Sequence, residues 1–109
     1  MAFLGTEGEM ISRNDAKKLI DNYQISPAFL ANNQTEGFLY GKDHLNLILS
    51  QQGCTGIRIY YGKDGVINTD PARMVLVGTD SDGNDMSTGL ILDTGAPCPT
   101  LCSSPSTKL

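Results

Sequence analysis

The spacing of apolar residues changes along the chain, and this change most constrains the fold. Up to about residue 51, apolar side chains recur every three or four positions, which is the spacing of one face of an α-helix. From residue 57 onward they alternate or form short continuous runs, as in β-strands. Helices followed by strands favour an α+β fold, with two N-terminal helices packed on one face of a small three- to four-stranded antiparallel meander.

The first predicted helix covers about residues 13–24. Ser12 is suited to cap its N-terminus, because a serine side chain accepts a hydrogen bond from a free backbone N–H of the first turn, and Asp15 stands at the third helical position. Pro27 ends the helix, since the residue before a proline avoids the helical conformation. The predicted buried stripe consists of Ala16, Leu19, Ile20 and Tyr23.

The second predicted helix covers about residues 42–51. Asp43 lies in its first turn, where the helix dipole favours a negative charge, and Gly53 follows as a left-handed C-terminal cap. Its predicted buried stripe consists of Leu45, Ile48 and Leu49, widened by Leu47. Between the two helices we expect a loop over residues 27–37, and either a short strand or a packed turn over residues 38–40.

Three strands are predicted, over residues 57–61, 74–77 and 90–92. In the first, Ile57, Ile59 and Tyr61 alternate with polar positions and predict one buried face. The Asp64-Gly65 pair is a strong hairpin-turn signal. The continuous apolar run at residues 74–77 predicts a central strand covered on both faces, and a polar turn over residues 80–85 follows it.

The two ends of the chain lack a regular pattern. Residues 1–11 predict an N-terminal arm, and residues 94–109 an irregular tail with cysteine and proline. The arm is expected to attach to the core or to a neighbour through Phe3, Leu4, Met10 and Ile11. The length of 109 residues fits a single domain spanning 1–109.

The charge of the chain excludes two classes of partner. The net charge is −4 and the isoelectric point is near 4.6, so phosphate backbones and anionic lipids repel the chain. The sequence has no apolar run of signal-peptide or membrane-span length. We therefore expect a cytoplasmic protein that binds neither nucleic acid nor membranes, and whose partner is another protein or a second copy of itself.

The three cysteines, Cys54, Cys98 and Cys102, cannot all pair within one chain. In a reducing cytoplasm thiols are typically free or metal-bound, and together with His44 they can supply the four ligands of a zinc ion. Two alternatives remain open. Cys54 can be a small core residue with both tail thiols free, or Cys98 and Cys102 can form a disulfide under oxidising conditions.

Two acidic motifs suggest chemistry but fit turns better. The Asp-Thr-Gly triplet at residues 93–95 resembles the active-site signature of aspartic proteases, in which two aspartates share a proton. Too few residues follow it to build the rest of such a fold. Residues 80–84 resemble the start of a calcium loop, but Asp85 and Ile91 stand where an EF-hand loop needs Gly and Glu.

Arg58, Tyr60 and Tyr61 form the predicted interaction patch. Tyrosine and arginine are enriched at the centres of protein interfaces, and these three residues share one predicted strand. Ordinary strand packing is the alternative explanation for them.

Residues 53–62, Gly-Cys-Thr-Gly-Ile-Arg-Ile-Tyr-Tyr-Gly, and the Pro-Cys-Pro-Thr-Leu-Cys-Ser tail at residues 97–103 resemble a family of short, uncharacterised Bacteroidetes proteins. Residues 75–80 and 83–86 are also similar to that family, and the resemblance covers about residues 11–109. It implies a natural bacterial protein with a complete chain. It implies no activity, so no functional residue is carried over.

These patterns together predict a small non-enzymatic protein that acts by contact and self-associates. The motivation is an apolar central strand, an anchor-like arm and the lack of a recognisable catalytic set in the sequence. The alternative is a metal-binding or thiol-redox protein that uses Cys54, Cys98 and Cys102. A small hydrolase using Asp93 is the third possibility.

Overall fold

A computed structural model describes residues 2–67 and 69–109 and combines helices with antiparallel strands, which confirms the α+β class. The elements in chain order are α1 (Arg13–Gln24), α2 (Pro27–Ala31), β1 (Gly37–Leu39), α3 (Lys42–Leu49), β2 (Gly56–Lys63), β3 (Ala72–Thr79), β4 (Ile91–Leu92) and β5 (Ala96–Cys98). None of the described helices is both long and apolar enough to cross a membrane.

The chain divides into two compact units. The first unit contains the residues up to Gly8, Tyr40–Gly62 and Arg73–Gly95, and the second contains Glu9–Leu39, Lys63–Ala72 and Ala96–Leu109. The organisation as a single domain stays a prediction, as does the packing of two helices on one face of the sheet.

Helix α1 in the second unit has the predicted bounds and the predicted cap. The Asp15 N–H donates to the Ser12 hydroxyl at 3.1 Å. The predicted buried stripe is wrong at Leu19, whose side chain is 64% exposed. Tyr23, the last residue of the stripe, lies edge-to-face against Phe29 of α2, with 5.7 Å between the ring centroids. This aromatic contact connects α1 to α2.

The loop predicted over residues 27–37 is wrong in its first part, because Pro27–Ala31 forms the short helix α2. Proline is well tolerated at the first helical position, where the N–H that it lacks has no partner in the helix. The Ser26-Pro27 pair therefore ends one helix and begins another.

The tail predicted as irregular over residues 94–109 contains the strand β5. It pairs antiparallel with β1, so that Gly37 lies opposite Cys98, Phe38 opposite Pro97 and Leu39 opposite Ala96. The strand alternative for residues 38–40 is therefore the one observed, one residue earlier. Pro97 is compatible with this ladder because each strand of a two-stranded sheet is an edge, where a proline without an N–H can be accommodated.

The three-stranded sheet of the first unit has the order β2-β3-β4, which is the predicted meander with β3 in the centre. Gly56 lies against Thr79 and Gly62 against Arg73, so β2 and β3 are antiparallel. In β4, Leu92 lies opposite Leu76 and Ile91 opposite Val77.

Helix α3 approaches the central strand of this sheet through Ile48. A Cβ atom at Gly78 would lie 3.3 Å from Cγ2 of Ile48, so the missing side chain allows the helix to approach β3 closely. Ile48, Leu76 and Val77 are the buried apolar side chains in the described part of the chain. The predicted stripe of this helix is wrong at Leu49, which is 48% exposed.

Candidate functional site

The outer edge of β2 is the longer of the two edges of the three-stranded sheet. The strand has eight residues and one neighbour, β3, within the described sheet. The Asp64 N–H donates to the Pro71 carbonyl at 3.1 Å. Because antiparallel strands alternate the direction of their backbone groups, Ile57, Ile59 and Tyr61 point their N–H and C=O groups away from β3.

The side chains along this edge are apolar and exposed. Ile59 is 54% exposed and Tyr61 is 86% exposed, although the sequence predicted them on a buried face. That prediction is wrong at these two positions. Successive strand side chains alternate between faces, so both lie on the face of the sheet that Ile48 of α3 contacts at Gly78.

The predicted patch of Arg58, Tyr60 and Tyr61 is split between the two faces of β2. Arg58 and Tyr60 lie together on the face opposite α3, and both bind Asp85. The Arg58 guanidinium is 2.5 Å from one carboxylate oxygen, and the Tyr60 hydroxyl donates to the other at 2.5 Å. Tyr61 points to the other face.

Asp85 is the residue that sequence reasoning missed in this cluster. The hydrogen bond from Tyr60, together with the charge and hydrogen bond of Arg58, lowers the pKa of the Asp85 carboxyl. The same hydrogen bond raises the pKa of Tyr60. Asp85 ends the polar turn, 27 residues after Arg58, and no sequence pattern links residues at that separation.

The N-terminal arm attaches through Phe3. Its N–H donates to the Ser81 carbonyl at 2.7 Å, and its ring lies against Gly83. Leu4, Met10 and Ile11, the other predicted anchors, are 76%, 101% and 53% exposed. One of the four predicted anchors thus contacts the first unit, at the turn after β3.

Asp93 of the Asp-Thr-Gly triplet pairs with Arg73 on the neighbouring strand. The guanidinium donates to both carboxylate oxygens, through Nε at 3.2 Å and through Nη2. This pairing lowers the pKa of Asp93. A carboxylate held as the anion by an arginine is the opposite of the shared-proton pair of an aspartic protease, and residues 93–95 form an irregular connection between β4 and β5.

The Asp80 motif forms a turn. One Asp80 carboxylate oxygen accepts hydrogen bonds from the N–H groups of Asp82 and Asn84, at 2.9 and 3.0 Å. A carboxylate that caps its own turn in this way explains the Asp-x-Asp-x-Asn spacing without a calcium ion.

The cysteines divide between the two units. Cys54 lies in the first unit, where its thiol donates to the Gly56 carbonyl at 3.2 Å, and His44 is exposed in the first turn of α3. Cys98 and Cys102 lie in the second unit and form a disulfide. The four-ligand zinc site stays a prediction, and the disulfide alternative is the one observed for the tail.

The disulfide lies beside Glu36, which sequence reasoning also missed. The Glu36 N–H donates to the Cys98 carbonyl at 2.7 Å, and one oxygen of its side chain lies within 4.8 Å of both sulfur atoms. No local pattern predicts this, because the pairing of β1 with β5 alone brings residue 36 to residue 98.

Comparison of the chain with protein-family models, with curated proteins and with solved structures yields no significant match, so its function has to be inferred from its own residues.

Proposed function

We propose that this protein is a non-enzymatic assembly module in which two copies pair through the outer edges of β2. The pairing would join two three-stranded sheets into one. The observation that carries the proposal is the eight-residue β2, which has no second strand partner in the described part of the chain and exposes Ile59, Tyr60 and Tyr61 at its middle.

Edge strands of monomeric proteins normally carry features that prevent pairing, such as a proline, a bulge or a charge directed outward. The segment Gly-Ile-Arg-Ile-Tyr-Tyr-Gly-Lys of β2 contains no proline. Its central charge, Arg58, is directed to Asp85 on one face of the sheet. Thus, among the described residues, neither a proline nor an outward-directed charge at the middle of β2 opposes the approach of a second strand.

A second copy fits this edge because β2 is self-complementary about Tyr60. An antiparallel pair with its two-fold axis at Tyr60 places Ile59 opposite Tyr61 of the second copy, and their outward N–H and C=O groups face each other. Aliphatic–aromatic cross-strand pairs are stabilising. The same register places Arg58 opposite Gly62, which avoids two like charges directly across the interface.

The test is the molar mass in solution as a function of concentration, measured by sedimentation equilibrium. Wild-type protein should show a reversible monomer–dimer equilibrium. Ile59→Lys should weaken dimerisation by at least about tenfold, because it places a charge at the centre of an apolar interface, and a tenfold change corresponds to about 1.4 kcal/mol.

Val66→Lys is the matched control. Val66 is 100% exposed and lies outside the sheet, so the same change of charge there should leave dimerisation intact. A wild-type chain that stays monomeric at the highest concentrations, or an equal effect of the two lysine variants, would overturn the proposal. Capture of an unrelated extended peptide by a monomeric wild-type chain would show that the edge serves another partner.

A further inference from the structure

The Cys98–Cys102 disulfide of the second unit lies beside Glu36, and all three residues are of types that bind metal ions. Strand pairing holds Glu36 beside Cys98, and the short C-x-x-x-C spacing holds Cys102 beside both. One ligand atom from each of Glu36, Cys98 and Cys102 lies within 4.8 Å of the others. Such a cluster has the size of the first coordination shell of a metal ion, whose bonds to sulfur and oxygen are about 2.0–2.3 Å long.

The Glu36 carboxylate is oriented through one oxygen and leaves the other available. Oε1 accepts hydrogen bonds from Lys108 Nζ at 2.5 Å and from Gln24 Nε2 at 3.2 Å. Oε2 accepts no hydrogen bond from any residue in the ranges 2–67 and 69–109. Hydrogen-bonded carboxylates of this kind are typical of metal sites, where outer partners fix the orientation of the ligand.

We propose that reduction of the Cys98–Cys102 disulfide opens a zinc site formed by Cys98, Cys102 and Glu36. A thiol reductant supplies two electrons and two protons, which convert the S–S bond into two thiols while the reductant becomes a disulfide. Zinc then binds as the two thiols lose their protons to water. The site goes beyond the proposed self-association and does not depend on it.

The ligand chemistry selects zinc over calcium or magnesium. Two thiolates are soft ligands, which zinc accepts and the hard alkaline-earth ions do not. Two thiolates, one carboxylate and the Lys108 ammonium sum to −2, which a divalent ion neutralises. The ligands line a cavity of about 340 Å³, so a water molecule or a small anion can occupy the fourth tetrahedral position.

This ligand set differs from the one that the sequence predicted. Cys54 and His44 are replaced by Glu36, which belongs to the same compact unit as the two tail cysteines. The difference can be tested directly, because each set predicts a different response to mutation.

The experiment uses the full chain, prepared oxidised and prepared reduced with a phosphine that does not compete for metal. Cobalt(II) reports thiolate and tetrahedral coordination by its absorption, and zinc affinity follows from competition with a chromophoric chelator. We expect one equivalent per reduced chain and none per oxidised chain. Zinc should also raise the melting temperature of the reduced chain alone, since a ligand of the folded state stabilises it.

The variants decide which residues bind. Replacing both Cys98 and Cys102 by Ser should abolish binding. Glu36→Gln should weaken it by at least about tenfold, because even the loss of an outer partner typically costs 10- to 100-fold. Glu9→Gln is the matched control, since Glu9 is exposed in the same unit but outside the cluster.

Three results would overturn the proposal. They are absence of binding by the reduced wild-type chain, equal binding by the oxidised chain, and unchanged affinity in Glu36→Gln. Loss of binding in Cys54→Ser or His44→Gln, with Glu36→Gln unaffected, would assign the metal to the ligand set predicted from the sequence. Circular dichroism of each variant separates loss of the site from loss of the fold.

Discussion

At the scale of single residues, two aspartates show how the sheet uses its charges. Asp85 binds Arg58 and Tyr60, and Asp93 binds Arg73, all on the face of the sheet opposite α3. Both carboxyl groups have a lowered pKa because of these partners. The arginines therefore neutralise acidic side chains within the unit, although the chain as a whole is acidic.

Asp85→Asn should make the protein less stable at neutral pH and less sensitive to acid. The pKa of Asp85 is lower in the folded than in the unfolded chain. The stability it contributes is therefore present above the unfolded value of about 3.9 and is lost as the pH falls through the lower folded value. Urea unfolding at a series of pH values should show that the difference in unfolding free energy between wild type and variant disappears below about pH 4.

Asp82→Asn is the control for this comparison. The Asp82 side chain makes no recorded hydrogen bond or ion pair with any described residue, although it lies in the turn that leads to Asp85. Its variant should follow the wild-type pH profile. A gap between Asp85→Asn and wild type that stays constant with pH would show that the carboxylate makes no preferential interaction in the folded state.

At the scale of elements, local signals predicted the helices better than the short strands. Ser12 caps α1 as its position predicts, because capping depends on neighbours three residues away. Strand β5 was missed because β1, its partner in the described sheet, lies far earlier in the chain, and a strand of three residues is too short to show a periodic pattern. The helix α2 was missed because a serine–proline pair can either end one helix or begin the next.

Ser12→Ala should destabilise the second unit by about 1 kcal/mol, since it leaves an N-terminal N–H of α1 without its side-chain acceptor. Chemical unfolding followed by far-ultraviolet circular dichroism measures the difference. Ser103→Ala serves as the matched change, because Ser103 is exposed and lies outside the helices and strands. Equal stability of the two variants would mean that the cap contributes nothing.

At the scale of the whole molecule, the buried apolar core is small. In the described portion it consists of Ile48, Leu76 and Val77, all in the first unit, while many large apolar side chains stay exposed. Globular proteins have an unfolding free energy of only about 5–15 kcal/mol. In a core this small, each buried side chain therefore contributes a large share of that free energy. Pairing through the exposed apolar edge of β2, as proposed above, would add to this small amount of apolar burial.

Ile48→Ala should therefore cost about 2–5 kcal/mol of unfolding free energy, from lost burial and the cavity left between α3 and β3. Leu47→Ala, one position earlier on the same helix, is the internal comparison because Leu47 is 56% exposed. Its cost should be well below that of Ile48→Ala in the same urea titration. Similar costs at both positions would contradict the assignment of Ile48 to the core.

The sequence by itself determined the fold class, the bounds and cap of α1, the order of the three-stranded meander and the central position of β3. These follow from residue spacing and local backbone chemistry, which act over a few positions. Only the tertiary structure decided that Ile59 and Tyr61 are exposed, that Asp85 and Asp93 pair with arginines, and that Glu36 meets Cys98 and Cys102. Each of these depends on segments far apart in the chain, whose distances are set by strand pairing and not by the pattern within any one segment.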